Sequence, residues 1–276
     1  MMNKIIAFIG AGNMGGAVAR SVAQVLPPQQ ITLATLHPEK AQHLAGELGS
    51  NWVATNEEAV AAADVVFLCV KPQMMRDVLA RLSAPLNERC ARGEQPLLVS
   101  IAAGLTMASL RSFLSGDCAA LPMARLMPNT PLLIGKGMSA LCFDGGDVTA
   151  NIALLTELLT HSGRCELLPE SLFDQFSAAA GCTTGFAFMM IEAMADAGVL
   201  IGLPRAQSLT YAAQVLYGAA AMVLETGAHP APLRDAVCSP GGSTIAGVAA
   251  LEDAGFRHAV IEAVRASFIK TKDLGK

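Results

Sequence analysis

The sequence predicts a two-part protein: a doubly wound α/β half over residues 1–165, followed by an all-helical half over residues 166–276. Three observations predict it. Short apolar runs alternate with helical patterns in the first half. A glycine cluster directly follows the first run, and β-rich runs vanish beyond residue 172. Continuous rather than alternating apolar runs mark strands buried on both faces, the condition of a parallel sheet covered by helices.

The elements follow in order. Lys4–Ile9 (KIIAFI) is an apolar run of strand length that ends in glycines. Residues 14–26 read as a helix, closed by Pro27-Pro28, because proline cannot continue the helical hydrogen bonds. Ile31–Thr35 reads as a strand, a helix starts near Pro38, and a short strand is expected around Trp52 and Val53. Asp64–Val70 (DVVFLCV) is a continuous apolar run stopped by Lys71-Pro72. Leu97–Ile101, Ala124–Met127 and Met138–Phe143 are the remaining expected strands. Past about Gly163, alanine-rich helical segments take over, punctuated by Gly202-Leu203-Pro204, His229-Pro230 and Ser239-Pro240-Gly241-Gly242. Residues 176–201 are apolar on most faces, which suits a helix buried all round, inside its own domain or at the core of a dimer.

Composition favours the dimer. The 276 residues are 53% hydrophobic and 15% charged, with a mean hydropathy of +0.45. A typical soluble chain carries about 25% charge, so much surface is expected to be hidden. A membrane span is disfavoured because the most apolar stretch, Phe176–Leu203, carries Glu192 and Asp196. Met1–Ala19 holds one lysine and a glycine cluster, so no secretory signal is expected. The net charge of −4, without a basic stripe, recommends no nucleic acid. Seven scattered cysteines with no Cys-x-x-Cys pair fit reduced thiols in a cytoplasmic setting. The five histidines are too dispersed for a local metal motif, so no metal is expected.

Gly10-Ala11-Gly12-Asn13-Met14-Gly15 follows the first strand and opens the first helix. Gly10 permits the tight turn, Gly12 lets backbone approach a pyrophosphate, and Gly15 allows close helix–strand packing. The pyrophosphate then meets free amides and the positive end of the helix dipole. In this strand–turn–helix context the spacing is a Rossmann-type dinucleotide fingerprint. A site for NADH usually places an acid at the end of the second strand. Here Ala34-Thr35-Leu36-His37-Pro38 has none, with Thr35, His37 or Lys40 available to a 2′-phosphate, although no arginine occupies the turn. The reading favours NADPH, with NADH as the alternative.

Val237–Thr244 precedes a helical pattern through Ile245–Glu252. Two glycines beside hydroxyl residues at a helix start form either a nest of amides for a small carboxylate or an ordinary surface N-cap. Chemistry alone leaves both open.

Ser239-Pro240-Gly241-Gly242-Ser243-Thr244-Ile245, with His229-Pro230 and Leu233-Arg234-Asp235 before it and Leu251-Glu252 and Gly255-Phe256 after it, resembles the signature of pyrroline-5-carboxylate reductases. Val70-Lys71-Pro72-Gln73, Ser100-Ile101-Ala102-Ala103-Gly104, Arg125–Pro131 and Glu192–Gly198 resemble further family motifs, so the likeness spans essentially the whole chain. The resemblance implies reduction of 1-pyrroline-5-carboxylate to L-proline by hydride transfer to a cyclic imine. It implies that Gly10 to Gly15, Thr35, Asn56, the Cys69-Val70-Lys71-Pro72 turn and the Ala102-Ala103-Gly104 turn line the cofactor. Ser239, Gly241, Gly242, Ser243 and Thr244 would hold the substrate carboxylate, with the Thr244 hydroxyl facing the ring nitrogen as the catalytic group. Asn129 would shape the cleft floor, or else cap a turn. The helical half would interlock a homodimer, with rings of dimers as a further option.

One departure stands out. Where the family carries Ser-Gly-Ser-Gly-Pro-Ala-Tyr, this chain has Ala180-Gly181-Cys182-Thr183-Thr184-Gly185-Phe186. It is a tolerated variant, a helix start re-capped by Thr183, or the mark of a reductase for another cyclic imino acid; the ordinary substrate is preferred. A β-hydroxyacid dehydrogenase would need a lysine in the helical half, and none lies between Lys136 and Lys270. A non-catalytic nucleotide-binding protein would not need both loops.

Overall fold

A computed structural model describes residues 4–274 and divides them into two compact units. The first runs to Gly181 and regains the chain end from Phe268; the second is Cys182–Ser267. The units divide later than the change of sequence character at 165/166. Phe173, Ser177 and Ala178 are buried, and Phe173 belongs to the core of the first unit.

The first unit is built on one eight-stranded sheet. Its strands are β1 (Ile6–Ile9), β2 (Ile31–Ala34), β3 (Asn51–Trp52), β4 (Val65–Leu68), β5 (Leu97–Ser100), β6 (Met123–Met127), β7 (Gly137–Asp144) and β8 (Gly163–Leu167). They lie in the order β3-β2-β1-β4-β5-β6-β7-β8, and every pair is parallel except β6–β7, which is antiparallel. Three differences from the sequence reading appear here. The sheet is not wholly parallel, because β6 and β7 are joined by a short connection that turns the chain back. β8 was not foreseen: Gly163–Leu167 (GRCEL) is an exposed edge strand without a continuous apolar run. The first helix, α1 (Asn13–Val22), ends before residue 26.

β1, β4 and β5 are buried at every residue, which explains their unbroken apolar sequences. Alternate residues feed two cores. Ile6 and Phe8 pack with α1, α2 (Pro38–Leu48) and α6 (Val148–Leu158), and Phe8 stacks on Phe67 with ring centroids 4.8 Å apart. Ala7 and Ile9 pack on the other face with α3 (Asn56–Val60), α4 (Pro72–Ala91) and α5 (Met107–Arg111). Helices on both faces make this a doubly wound sheet. The strand order reverses between β1 and β4, and open α/β sheets bind ligands beyond the carboxyl ends of their strands at such a point.

Before the second unit, α7 (Phe173–Phe176) leads into a π-helical stretch, Ser177–Cys182, and then α8 (Thr183–Leu200). Cys182 is itself helical and no side chain caps α8, so Thr183 does not restart the helix. α8 packs on α9 (Arg205–Thr226), where the Ser208 hydroxyl donates 2.7 Å to the Ala195 carbonyl. A Cβ on Gly198 would stand 1.9 Å from Ser208 Oγ, so only glycine permits this approach. Burial of α8 inside its own unit is not what the structure shows. Phe188, Met189 and Leu200 are exposed, and little of the Glu170–Leu200 run is buried although it is long and apolar enough to cross a membrane. Helices α10 (Pro230–Ala236), α11 (Ser243–Asp253) and α12 (Phe256–Leu274) follow.

Candidate active site

The glycine loop sits at the switch point. The Gly10 amide donates 2.7 Å to Ala34 O, and Gly10 holds φ +100°, a conformation that side chains rarely adopt. A Cβ there would meet the Cys69 carbonyl group, at the end of β4, at 2.8 Å. A Cβ on Gly15 would lie 2.2 Å from Gly10 O and 2.7 Å from Cys69 Cβ. These two glycines therefore let the loop lie against the β4 end. Gly12 differs: nothing stands within 4 Å of its would-be Cβ. It is the N-cap of α1, in extended conformation, with no side-chain cap and no acidic residue in the first turn. The first amides of α1 thus have no side-chain cap and no first-turn carboxylate to compete for them, the condition that suits a helix start to a dinucleotide pyrophosphate.

A depression of about 630 Å³ on one side includes Thr35, Leu36, Asn56, Val70 and Met74 in its lining. Asn56 is held by a capping box in which Thr55 Oγ1 accepts from Glu58 N at 3.2 Å. A second depression of about 520 Å³ is lined by Ala11, Gly12 and Asn13 together with Arg20, Lys40 and His43. Met14 is half-buried at the start of α1. Lys71 is the exposed N-cap of α4 and Pro72 its first residue, where the missing proline N–H costs nothing. The Ala102 amide is fixed by Ser100 Oγ at 3.2 Å; Ala102 is buried, Ala103 exposed, and Gly104 turns at φ +76°. Burial pushes the Cys69 thiol well above its ordinary range, so it lines the crevice as a neutral group. A larger depression, about 710 Å³, lies at the opposite end of the strands. Its charges are paired with each other, Lys4 with Asp64 and Arg89 with Glu94.

Asn129 joins three segments. Its amide nitrogen donates 3.1 Å to Ala180 O in the π-helical stretch, and its oxygen accepts from Met138 N at 2.9 Å. Both bonds tie the loop after β6 to β7 and to the altered segment. The sequence reading missed Glu170. One of its oxygens accepts from the Met107 amide at 2.7 Å and from the buried Arg125 at 2.8 Å. The Arg125 guanidinium also lies 4.6 Å from the centre of the Phe173 ring. An arginine inside the apolar run of β6 was the available signal that a buried partner must exist.

In the second unit, Ser239–Gly242 forms a turn before α11. Gly241 has φ +68°, and the Gly242 amide donates 3.0 Å to Ser239 O. A Cβ on Gly242 would stand 2.3 Å from Ser239 Oγ and 3.0 Å from Ser239 O, so a side chain there would displace the Ser239 hydroxyl and crowd the turn. Gly242 is the N-cap of α11, again without a side-chain cap or an acid in the first turn. Ser243 and Thr244 are exposed first-turn residues. The two units thus each carry one glycine-led helix start suited to an anion.

Comparison with known proteins identifies the arrangement. Residues 170–274 match the model for pyrroline-5-carboxylate reductase dimerisation, and residues 5–104 match that for NADP oxidoreductase, coenzyme F420-dependent. The pyrroline-5-carboxylate reductase of Escherichia coli (strain K12) is 41% identical over 278 residues, covering 100% of both chains. The chain belongs to the pyrroline-5-carboxylate reductase family. Two solved members of this family align over the full length of both chains. The structure from Coxiella burnetii gives a TM-score of 0.90 at 28% identity. That of the Plasmodium falciparum enzyme, determined with NADP bound, gives 0.86 at 27%. As a pyrroline-5-carboxylate reductase family member, the chain carries its glycine loop in the NADP oxidoreductase region and its Ser239–Thr244 turn in the dimerisation region. The exposed apolar helix α8 also lies in the dimerisation region.

Proposed function

We propose that the protein reduces 1-pyrroline-5-carboxylate to L-proline with NADPH, as a cytoplasmic homodimer. The observation that carries this reading is full-length 41% identity to a pyrroline-5-carboxylate reductase, with neither glycine-led helix start capped by a side chain or occupied by a first-turn acid. Bound at the glycine loop, NADPH supplies a hydride from nicotinamide C4 to the imine carbon. Gly10 to Gly15 hold the pyrophosphate; Thr35, Asn56 and Val70 line the nucleoside depression; and Cys69, Lys71, Pro72 and the Ala102–Gly104 turn complete the wall. At α11 the amides following Gly242 hold the substrate carboxylate, with Ser239 and Gly241 shaping the turn. Thr244 orients the ring nitrogen. The imine binds protonated, so the chain needs no strong acid, and its work is orientation and charge fixation. Asn129, whose amide is engaged by Ala180 and Met138, positions the cleft floor.

NADPH oxidation with 1-pyrroline-5-carboxylate, its 2-carboxylate isomer and a six-membered homologue tests the substrate. Preferred turnover of the first supports the assignment. Preferred turnover of another ring makes the altered 180–186 segment the specificity determinant, the second reading, which its contact with Asn129 favours.

The exposed apolar surface of α8 supports a homodimer interface rather than a membrane span, because Glu192 and Asp196 interrupt the run. Higher rings of dimers are compatible with this arrangement. The seven cysteines are all unbonded thiols, which agrees with a reducing cytoplasm.

A further inference from the structure

The turn after β2 carries no arginine, the residue that commonly accommodates a 2′-phosphate. The fold brings one from a different element. Arg20 stands on α1 one turn beyond Gly16, on the face turned to α2. Helical side chains lean toward the N-terminus, and Arg20 does so. One guanidinium nitrogen, Nη1, lies 3.2 Å from where a Gly16 Cβ would be. Gly16 lies outside the pyrophosphate fingerprint, and its missing side chain gives Arg20 room to fold back.

The guanidinium thereby lines the same depression as Gly12 and Asn13, with Lys40 and His43 contributed by α2. Glu39 also faces it, but lies 3.7 Å from His37 Nδ1. Glu47 accepts a hydrogen bond from Arg20 and stands 3.2 Å from His43 Nδ1. Among the described residues, Lys40 has no acidic partner within ion-pair distance. A phosphate monoester dianion takes a guanidinium from a single exposed carboxylate, because it offers more charge and a matching bidentate edge.

We infer that Arg20 and Lys40 form the seat of the cofactor's 2′-phosphate, with Glu47 holding the Arg20 guanidinium in the adjoining position when no phosphate is present. Arg20 then supplies from α1 the arginine that the β2 turn lacks. The inference rests on the NADPH reading above.

Calorimetric titration of the full-length protein with 2′,5′-ADP and with 5′-AMP tests it without turnover. The wild type is expected to bind 2′,5′-ADP more tightly. Arg20→Ala should weaken that ligand about 10-fold at low salt, the lower range for a charge-assisted contact because the site is partly exposed. Binding of 5′-AMP should stay within about twofold, since its single phosphate does not use Arg20. Glu47→Gln should tighten 2′,5′-ADP, the opposite sign. Equal losses for both nucleotides, or an unchanged preference in Arg20→Ala, would overturn the seat and leave the NADPH reading intact. A wild type that binds NADH but does not distinguish the two nucleotides would overturn both.

Discussion

Two alanine substitutions in one loop should separate folding from cofactor binding. In Gly15→Ala, the new methyl would stand 2.2 Å from Gly10 O and 2.7 Å from Cys69 Cβ. Ordinary carbon contacts are about 3.5–4.0 Å, so loop and helix must part by roughly 1 Å. Neither neighbour is a flexible tip; one is backbone and the other is the root of a side chain at the end of a buried strand. Overpacking of this kind costs about 1–3 kcal/mol, and the upper half applies here. At about 2–4 °C per kcal/mol for a domain of this size, Tm should fall by about 4–12 °C. In Gly12→Ala, the methyl meets nothing within 4 Å, and Gly12 already has an ordinary negative φ of −78°. Its stability should change by less than about 1 kcal/mol, as for an Ala replacing Gly at an N-cap. The methyl would instead fill the space offered to the pyrophosphate, weakening NADPH at least about tenfold. Differential scanning fluorimetry and NADPH fluorescence titration read the two effects. Equal Tm losses, or Gly12→Ala binding NADPH normally, would refute the division of labour among the three glycines.

Other outcomes follow from the same geometry. Thr244→Ala should lower kcat/KM about 10- to 100-fold with NADPH affinity retained, as for loss of one orienting hydroxyl; unchanged kinetics would remove Thr244 from the mechanism. Glu170→Gln strips the buried Arg125 of its countercharge and should cost about 2–4 kcal/mol by chemical denaturation. Adding Arg125→Met should recover part of that loss, and strictly additive losses would contradict a paired role. Burial, then Glu170, pushes the Cys142 thiol up to about 11; burial, then Glu166, pushes Cys165 up to about 12. Both folded values lie above the ordinary thiol value of 9.0, so their stabilising contribution is complete below pH 9 and is lost as pH rises toward 11–12. Tm should therefore decline from pH 9 to 11, and iodoacetamide at pH 8 should spare both residues by mass spectrometry; rapid labelling of either would contradict the assignment. Met189, 68% exposed on α8, should become a dimer-breaking position on substitution by lysine, giving a monomer by light scattering. An unchanged mass would move the interface elsewhere.

The first half was legible because its signals are local. The continuous runs of β1, β4 and β5 report burial on both faces, and those strands are buried at every residue. The Gly10–Gly15 spacing encodes a conformational need, and the structure shows φ +100° at Gly10 and forbidden contacts at Gly15. β8 escaped notice because an edge strand is buried too little to need an apolar sequence. The direction of β7 escaped because composition does not encode strand polarity. Glu170 escaped because it partners an arginine 45 residues earlier.

The sequence alone determined which segments seek burial, where the backbone must turn left-handed and where helix amides can receive an anion. Each of these is set within a few residues by sterics, hydrogen bonding and hydrophobicity. Only the tertiary structure decided that Gly10 and Gly15 are pressed against Cys69, that Asn129 is committed to Ala180, and that Arg20 and Lys40 line one depression with Gly12. Those meetings depend on how strands are ordered and helices laid across them. Nothing local to α1 can state that the residue facing its second turn will come from α2.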